Sequence, residues 1–354
     1  MLAAYNSTKN ILIIFGGADE NNSIKMDLWV LTNANGLGNT APTWQQLTIS
    51  GTPPTARARM AGVYDDANDI LIFFGGGTWR DQVGTFYDET WTITSVTTNP
   101  TWQKLVTAGT PPASRVGHSA AYDTAGNRMI IFGGNTSRTS PPEPSGRMND
   151  TWILSNANGI GSISVWSQLS TVGKPPAREG HSAVFDSKNK RMVIFGGGGV
   201  PPGVRNDVWV LTDVSGTTSS WAEYDTGSLR PQARTFHGAV YAASTNRMMI
   251  FGGDTGNNNF VNDVWVLRSA SGVPSKAVKT ITIKGASNNV FAGYNLHLGA
   301  VAYDEANNEL EGVLYVLSSS DPNVATVASN GLVKGEGMGT FYNQSTCEML
   351  VGAL

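Results

Sequence analysis

The chain of 354 residues has a single cysteine, Cys347, few charges and no long apolar run, and each shortage closes off a class of protein. A lone cysteine allows no internal disulfide framework and no cysteine-based metal cluster. Charged residues are 14% of the chain, the net charge is −3 and the Lys and Arg are scattered, so no nucleic-acid partner is expected. No run approaches the roughly 18 apolar residues of a membrane helix, so no membrane insertion of that kind is expected. The opening "MLAAYNSTKN" lacks the basic and apolar regions of a signal peptide. Apolar residues at helical spacing are also lacking, whereas glycine numbers 41, which points to strands and turns.

What the chain does have is a repeat. The runs "KNILIIFGG", "NDILIFFGG", "NRMIIFGG", "NKRMVIFGG" and "TNRMMIFGG" end at Gly17, Gly76, Gly134, Gly197 and Gly253. Each sits in a unit of roughly sixty residues. In the third unit "RVGHSAAYD", "NRMIIFGG", "MNDTWILS" and "VWSQLS" follow one another, which reads as four short strands, A to D. Trp29, Trp91, Trp152, Trp209 and Trp265 mark strand C, and Trp44, Trp102, Trp166 and Trp221 mark strand D. Strand B is apolar on consecutive residues, so both of its faces are expected to be buried. Stacking such sheets radially into a β-propeller supplies that cover. The paired glycines end strand B where the backbone turns tightly, because lack of a Cβ permits positive φ.

The series "HSAAYD", "RMIIFGG", "NDTWIL" and W-x-x-L resembles the kelch repeat, in the longer form of bacterial proteins similar to the central domain of galactose oxidase. Over residues 1–272 the resemblance implies an all-β kelch β-propeller with five recognisable four-stranded blades. Met1 falls where His118 stands in the third unit, and the fifth unit has no W-x-x-L strand. Two readings follow: further blades and an export signal upstream, or a ring of five. Residues 276–354, through "SSSDPNVATV" and "NGLVKG", resemble a group 2 bacterial immunoglobulin-like domain, a small β-sandwich. Its tail "FYNQSTCEMLVGAL" departs from that family, so the domain is expected to be incomplete at its C-terminal end.

If strands A to D alternate in direction, the D-to-A and B-to-C connections share one face of the propeller. The B-to-C loops vary from unit to unit, and varied loops on a rigid scaffold are where recognition sits. They carry Trp79, Arg80, Arg138, Arg205 and Phe260 as candidate binding residues. The D-to-A linkers bring Arg57, Arg115, Arg178 and Arg234 to the same face, where the resemblance implies pocket-lining arginines that meet a ligand. Their recurrence in every copy supports a second reading, arginines that bond carbonyls of the adjoining blade and hold the ring together. His118, His181 and His237 follow three residues later, but equivalent positions spread around an axis cannot converge on one metal ion, and Met60 replaces the histidine in the second copy.

A galactose-oxidase copper site would need a cysteine in the propeller, and there is none. An acid and base pair could be drawn only from loop carboxylates such as Asp19, Glu20, Asp81, Glu143 or Glu179, so no catalytic residue, metal or cofactor is assigned. The expectation is a non-catalytic binding or adhesion module of an exported bacterial protein, extracellular or at the cell surface, with a protein or glycan ligand. The alternatives are a structural spacer without a ligand, or a carbohydrate-active enzyme with an unrecognised site.

Overall fold

The computed structural model describes residues 1–271 apart from 22, 38–39, 81–82, 138–145, 199–202, 215–218, 225 and 227–229; beyond them it describes six short strands between 280 and 335. Chain contacts divide the protein into two compact units, Met1–Ala243 with Met248–Val266, and Ser244–Arg247 with Leu267–Leu354.

The first unit holds five blades. Blade one is β1 (Leu2–Asn6), β2 (Ile11–Ala18), β3 (Ile24–Thr32) and β4 (Thr43–Leu47). Blade two is β5 (Ala61–Asp65), β6 (Ile70–Phe74), β9 (Thr90–Thr94) and β10 (Thr101–Lys104), with a hairpin β7 (Gly77–Arg80) and β8 (Val83–Phe86) inside its B-to-C connection. After β11 (Thr107–Ala108), blade three is β12 (Ser119–Asp123), β13 (Arg128–Phe132), β14 (Thr151–Ser155) and β15 (Ser164–Leu169). Blade four is β16 (Ser182–Asp186), β17 (Arg191–Gly198), β18 (Val204–Thr212) and β19 (Ser220–Tyr224). Among the described residues blade five has three strands, β20 (Gly238–Ala242), β21 (Arg247–Phe251) and β22 (Val264–Arg268). The A to D strands follow chain order outward in every blade, with β11 added in parallel at the outer edge of blade three, and the innermost strands β1, β5, β12, β16 and β20 neighbour one another in sequence. This is the five-bladed all-β propeller that the repeat implies.

The A-to-B hairpins are alike for a local reason. Their last turn residue has positive φ in each blade: Asn10, Asp69, Asn127, Lys190 and Asn246. Asn and Asp tolerate that region best, and only Lys190 departs from the preference. At the other end of strand B both glycines have positive φ, and a Cβ on Gly134 would lie 2.8 Å from His118 Cβ.

The blades are joined by contacts that recur from junction to junction. The Phe closing strand B takes the next blade's His edge-on, with ring centroids 5.6 Å apart for Phe74 and His118, 5.4 Å for Phe132 and His181 and 5.2 Å for Phe195 and His237. The strand-D Trp packs on the preceding blade, Trp166 on Phe74 and Trp221 on Phe132, and its indole N–H donates to the Thr90 or Thr151 hydroxyl. The second glycine donates its N–H to the next blade's arginine carbonyl: Gly76 to Arg115, Gly134 to Arg178 and Gly197 to Arg234.

Strand B is buried on both faces only where a blade has neighbours on both sides. β6, β13 and β17 are buried along almost their whole length, whereas β2 and β21 alternate. Phe251, the counterpart of the fully buried Phe132, is 57% exposed, and Val240, Val264 and Val266 share its exposure. The expectation of burial on both faces therefore holds for the three inner blades and is corrected for the first and fifth, each covered on one side.

The second unit contains β23 (Thr280–Lys284), β24 (Asn295–His297), β25 (Gly299–Tyr303), β26 (Glu309–Leu310), β27 (Ala325–Val327) and β28 (Leu332–Gly335). They form two antiparallel three-stranded sheets, β23-β25-β26 and β24-β28-β27. The tail from Phe341, with Cys347, lies outside the described residues.

Candidate functional site

The four arginines expected at a ligand pocket are wholly buried. Arg115 donates to the Ala113 and Gly133 carbonyls and grips Asp150 with both guanidinium arms at 2.7 and 2.8 Å. Arg178 does the same with Pro176, Gly196 and Asp207, and Arg234 with Gln232, Gly252 and Asp263. These are bonds within one blade. The tie to the neighbour runs instead through the arginine's own carbonyl, as described above. Arg57 departs from the pattern because Glu89 stands where the other blades have Asp: one arm donates to Glu89, Nη1 is buried without a partner among the described residues, and the guanidinium lies 3.8 Å over the Tyr87 ring.

The partner carboxylate also accepts the strand-C indole N–H, so Arg, Asp and Trp form one clamp per blade, as in Trp152 to Asp150 and Trp209 to Asp207. Burial alone would raise the Asp150 and Asp207 carboxyls, but their paired arginines outweigh it and hold both below the usual range. Burial, helped by Arg115, pushes His118 down to about 3, and burial with Arg234 pushes His237 down to about 4. His181 and His237 bond the Ser119 and Ser182 hydroxyls of the preceding blade at 2.7 and 2.8 Å. Among the described residues no group of three His, Cys, Asp or Glu is placed to hold a metal ion.

What remains for recognition is the rim at the end of the sheets where the D-to-A linkers and B-to-C loops meet. There the backbone adds a bridge row beyond the strands: Val116 to Asn135 to Arg147 in blade three, Glu179 to Gly198 in blade four, Thr235 to Asp254 to Phe260 in blade five. One residue further along, Arg59, Gly117, Gly180 and Phe236 occupy equivalent positions, all with φ between 54° and 65°. Their backbones form a belt from blade to blade, Gly117 N–H to Arg59 C=O at 2.9 Å, Gly180 to Gly117 at 2.7 Å and Phe236 to Gly180 at 2.7 Å. Glycine suits this backbone; Arg and Phe hold it under strain, a cost found at functional sites.

The belt brings blades two and five together. The Arg59 guanidinium lies 5.1 Å from the centroid of the Phe236 ring, within cation–π range, and Phe236 is 52% exposed. Beside them Glu179 is buried; its Oε1 accepts from Asn135 Nδ2 at 3.2 Å and Arg147 Nε at 3.1 Å, and its Oε2 has no partner among the described residues. The counterparts of Glu179 are the uncharged Ala58, Val116 and Thr235.

Of the loop candidates, Phe260 is 72% exposed on the rim. Arg205 lies in β18, half-buried, with Nε lacking a partner among the described residues and its carbonyl accepting from the Arg234 N–H. Trp79 and Arg80 belong to β7, with side chains outside the described residues, as are Arg138, Asp81 and Glu143. Asp19 pairs with Lys25 at 2.8 Å on blade one. The reading of the sequence missed Arg59, Phe236, Asn135 and Arg147. The available signal was a break in the repeat, Arg and Phe where aligned copies have glycine.

Comparison with known proteins agrees with this architecture. A family model described as the KLHDC2/KLHL20/DRC7 Kelch-repeats domain matches residues 2–159 and 160–298. Host cell factor 1 of Rattus norvegicus is 29% identical over 261 residues, 69% of this chain and 11% of that protein. The F-box/kelch-repeat protein At1g51550 of Arabidopsis thaliana is 34% identical over 212 residues, 56% of this chain and 40% of that protein. This chain thus spans a minor part of the length of these relatives. Among solved structures, that of YjhT superposes with a TM-score of 0.50 at 15% identity, over 75% of this chain and 80% of that one, a likeness of fold alone.

Proposed function

The chain belongs to the kelch-repeat family, and from that footing we propose that it is a non-catalytic protein-binding module that recognises its partner on the rim. One observation carries the reading. Positions that repeat from blade to blade are consumed in the scaffold, the clamp arginines inside each blade and the histidines and strand-D indoles between blades, while the residues that break the repeat gather at the rim: Arg59, Arg147, Glu179, Phe236 and Phe260. Repeated contacts build a scaffold, and recognition of an asymmetric ligand needs asymmetry.

A glycan in place of a protein is the second reading, favoured by the exposed face of Phe260, a surface on which a sugar ring stacks. The exported bacterial setting belongs to this proposal too and rests on the sequence resemblance. A peptide-display selection and a glycan panel against the full chain decide between the ligands. Protein binders that lose tenfold or more in affinity with Phe236→Ala or Phe260→Ala, at unchanged thermal midpoint, support the reading. Binders indifferent to both substitutions sink it, and glycan binding alone transfers it to the second.

A further inference from the structure

The Arg59 and Phe236 pair belongs to the same belt as two successive glycines, Gly117 and Gly180. A Cβ on Gly117 would lie 3.3 Å from Glu179 Cβ and 3.4 Å from its Oε2, and one on Gly180 would collide with Thr235 Oγ1 and lie 3.0 Å from the Phe236 ring, so neither position takes a larger residue. The floor between the Glu179 carboxylate and the Phe236 ring is therefore belt backbone, with the Thr235 hydroxyl packed against Gly180. Around that floor are an aromatic face already holding a guanidinium, and a buried carboxylate with one oxygen engaged and the other without a donor among the described residues. An aromatic face and a carboxylate are the two groups that recognise a guanidinium. Arg147 does not complete the pairing, since its Nε reaches only Oε1.

We propose that the rim at Phe236 and Glu179 takes a basic side chain of the partner, an arginine first of all, and that Arg59 is its internal stand-in. The incoming guanidinium replaces Arg59 on the Phe236 ring and donates to Glu179 Oε2, and Arg59, itself exposed, swings further into solvent. Arginine fits better than lysine because a planar group can lie on the ring while its edge N–H groups address the carboxylate. This inference rests on the rim being the binding face, and it adds the chemistry of the ligand.

The test uses the full chain and capped tripeptides of arginine, citrulline and glutamate, with binding followed by calorimetry and folding by thermal unfolding. The arginine peptide is expected to bind at least tenfold more tightly than the citrulline peptide, and the glutamate peptide not at all. Arg59→Ala removes the internal competitor and is expected to tighten arginine binding several-fold, an effect that a merely structural Arg59 would not produce. Glu179→Gln, which keeps the shape and the Oε1 acceptor, is expected to weaken it tenfold or more. Should that variant fail to fold, Phe236→Leu, which removes the aromatic face from an exposed position, is expected to give the same loss. Preference for glutamate, no arginine binding by either the native chain or Arg59→Ala, or binding indifferent to both Glu179→Gln and Phe236→Leu overturns the inference. Selected peptides without a basic residue that still depend on Phe260 would overturn it and leave the rim reading standing; indifference to every rim substitution would remove both.

Discussion

At the scale of single residues, the clamp carboxylates carry the largest predicted penalties. Asp150 is the partner of a wholly buried arginine and its side chain is 11% exposed, so Asp150→Ala strands a charge without water. The expected cost is about 3–5 kcal/mol in denaturant unfolding. Asp263 makes the same clamp with Arg234 but its side chain is 41% exposed, and solvent screening makes the loss in Asp263→Ala smaller, on the order of 1 kcal/mol. Equal losses would show that burial of the pair is not what sets its worth. A second site is His118, whose counterparts His181 and His237 each bond a serine of the preceding blade, while Ala61 stands at that serine's place. Ala61→Ser is expected to raise stability by about 0.5–1.5 kcal/mol, read as a higher thermal midpoint. Much of this scale was legible: the Arg-x-x-His spacing and the strand-C Trp stand in the sequence. The Asp two residues before that Trp was equally visible, in "MNDTWILS", yet its role as the joint between them depends on which strands lie side by side.

At the scale of elements, a strand's stability follows the number of neighbours its blade has. β6, β13 and β17 are closed in from both sides, whereas β20 and β22 keep alternate residues exposed. Amide exchange is expected to be slowest in those three B strands and faster by orders of magnitude in β20 to β22, because local opening there exposes less new apolar surface. Uniform protection across the blades would contradict this. Strand identity and order were readable from the apolar runs, the paired glycines and the indoles. The parallel ties between blades were not. Three linkers lay a bridge along the next blade's outer strand, Ser50 on Thr101, Thr107 and Ala108 on Ser164 and Val165, Val172 on Ser220. Backbone bonds of this kind carry no side-chain signature.

At the scale of the whole molecule, acid stability depends on the buried histidines. The folded values of His118, His181 and His237 lie below the ordinary 6.5, so the unfolded chain binds protons first as the pH falls. Stability is therefore fully present above about pH 6.5 and is lost progressively below it, down to the folded values near 3 and 4 of His118 and His237. Each histidine contributes a slope of up to about 1.4 kcal/mol per pH unit within its window. The lowered carboxyls of Asp150 and Asp207 add to the loss only below their ordinary 3.8. Urea midpoints at successive pH values check the profile; a flat curve between pH 6.5 and 4.5 would mean that the histidines are not buried uncharged. By itself the sequence determined the all-β class, the kelch-type unit and its recurrence, because period, apolar runs and glycine pairs are local properties written once per unit. The tertiary structure alone decided which repeated residues are used up inside the blades and which irregular ones meet. Arg59 and Phe236 are 177 positions apart by number and come together only because the belt of positive-φ residues curves from blade two to blade five.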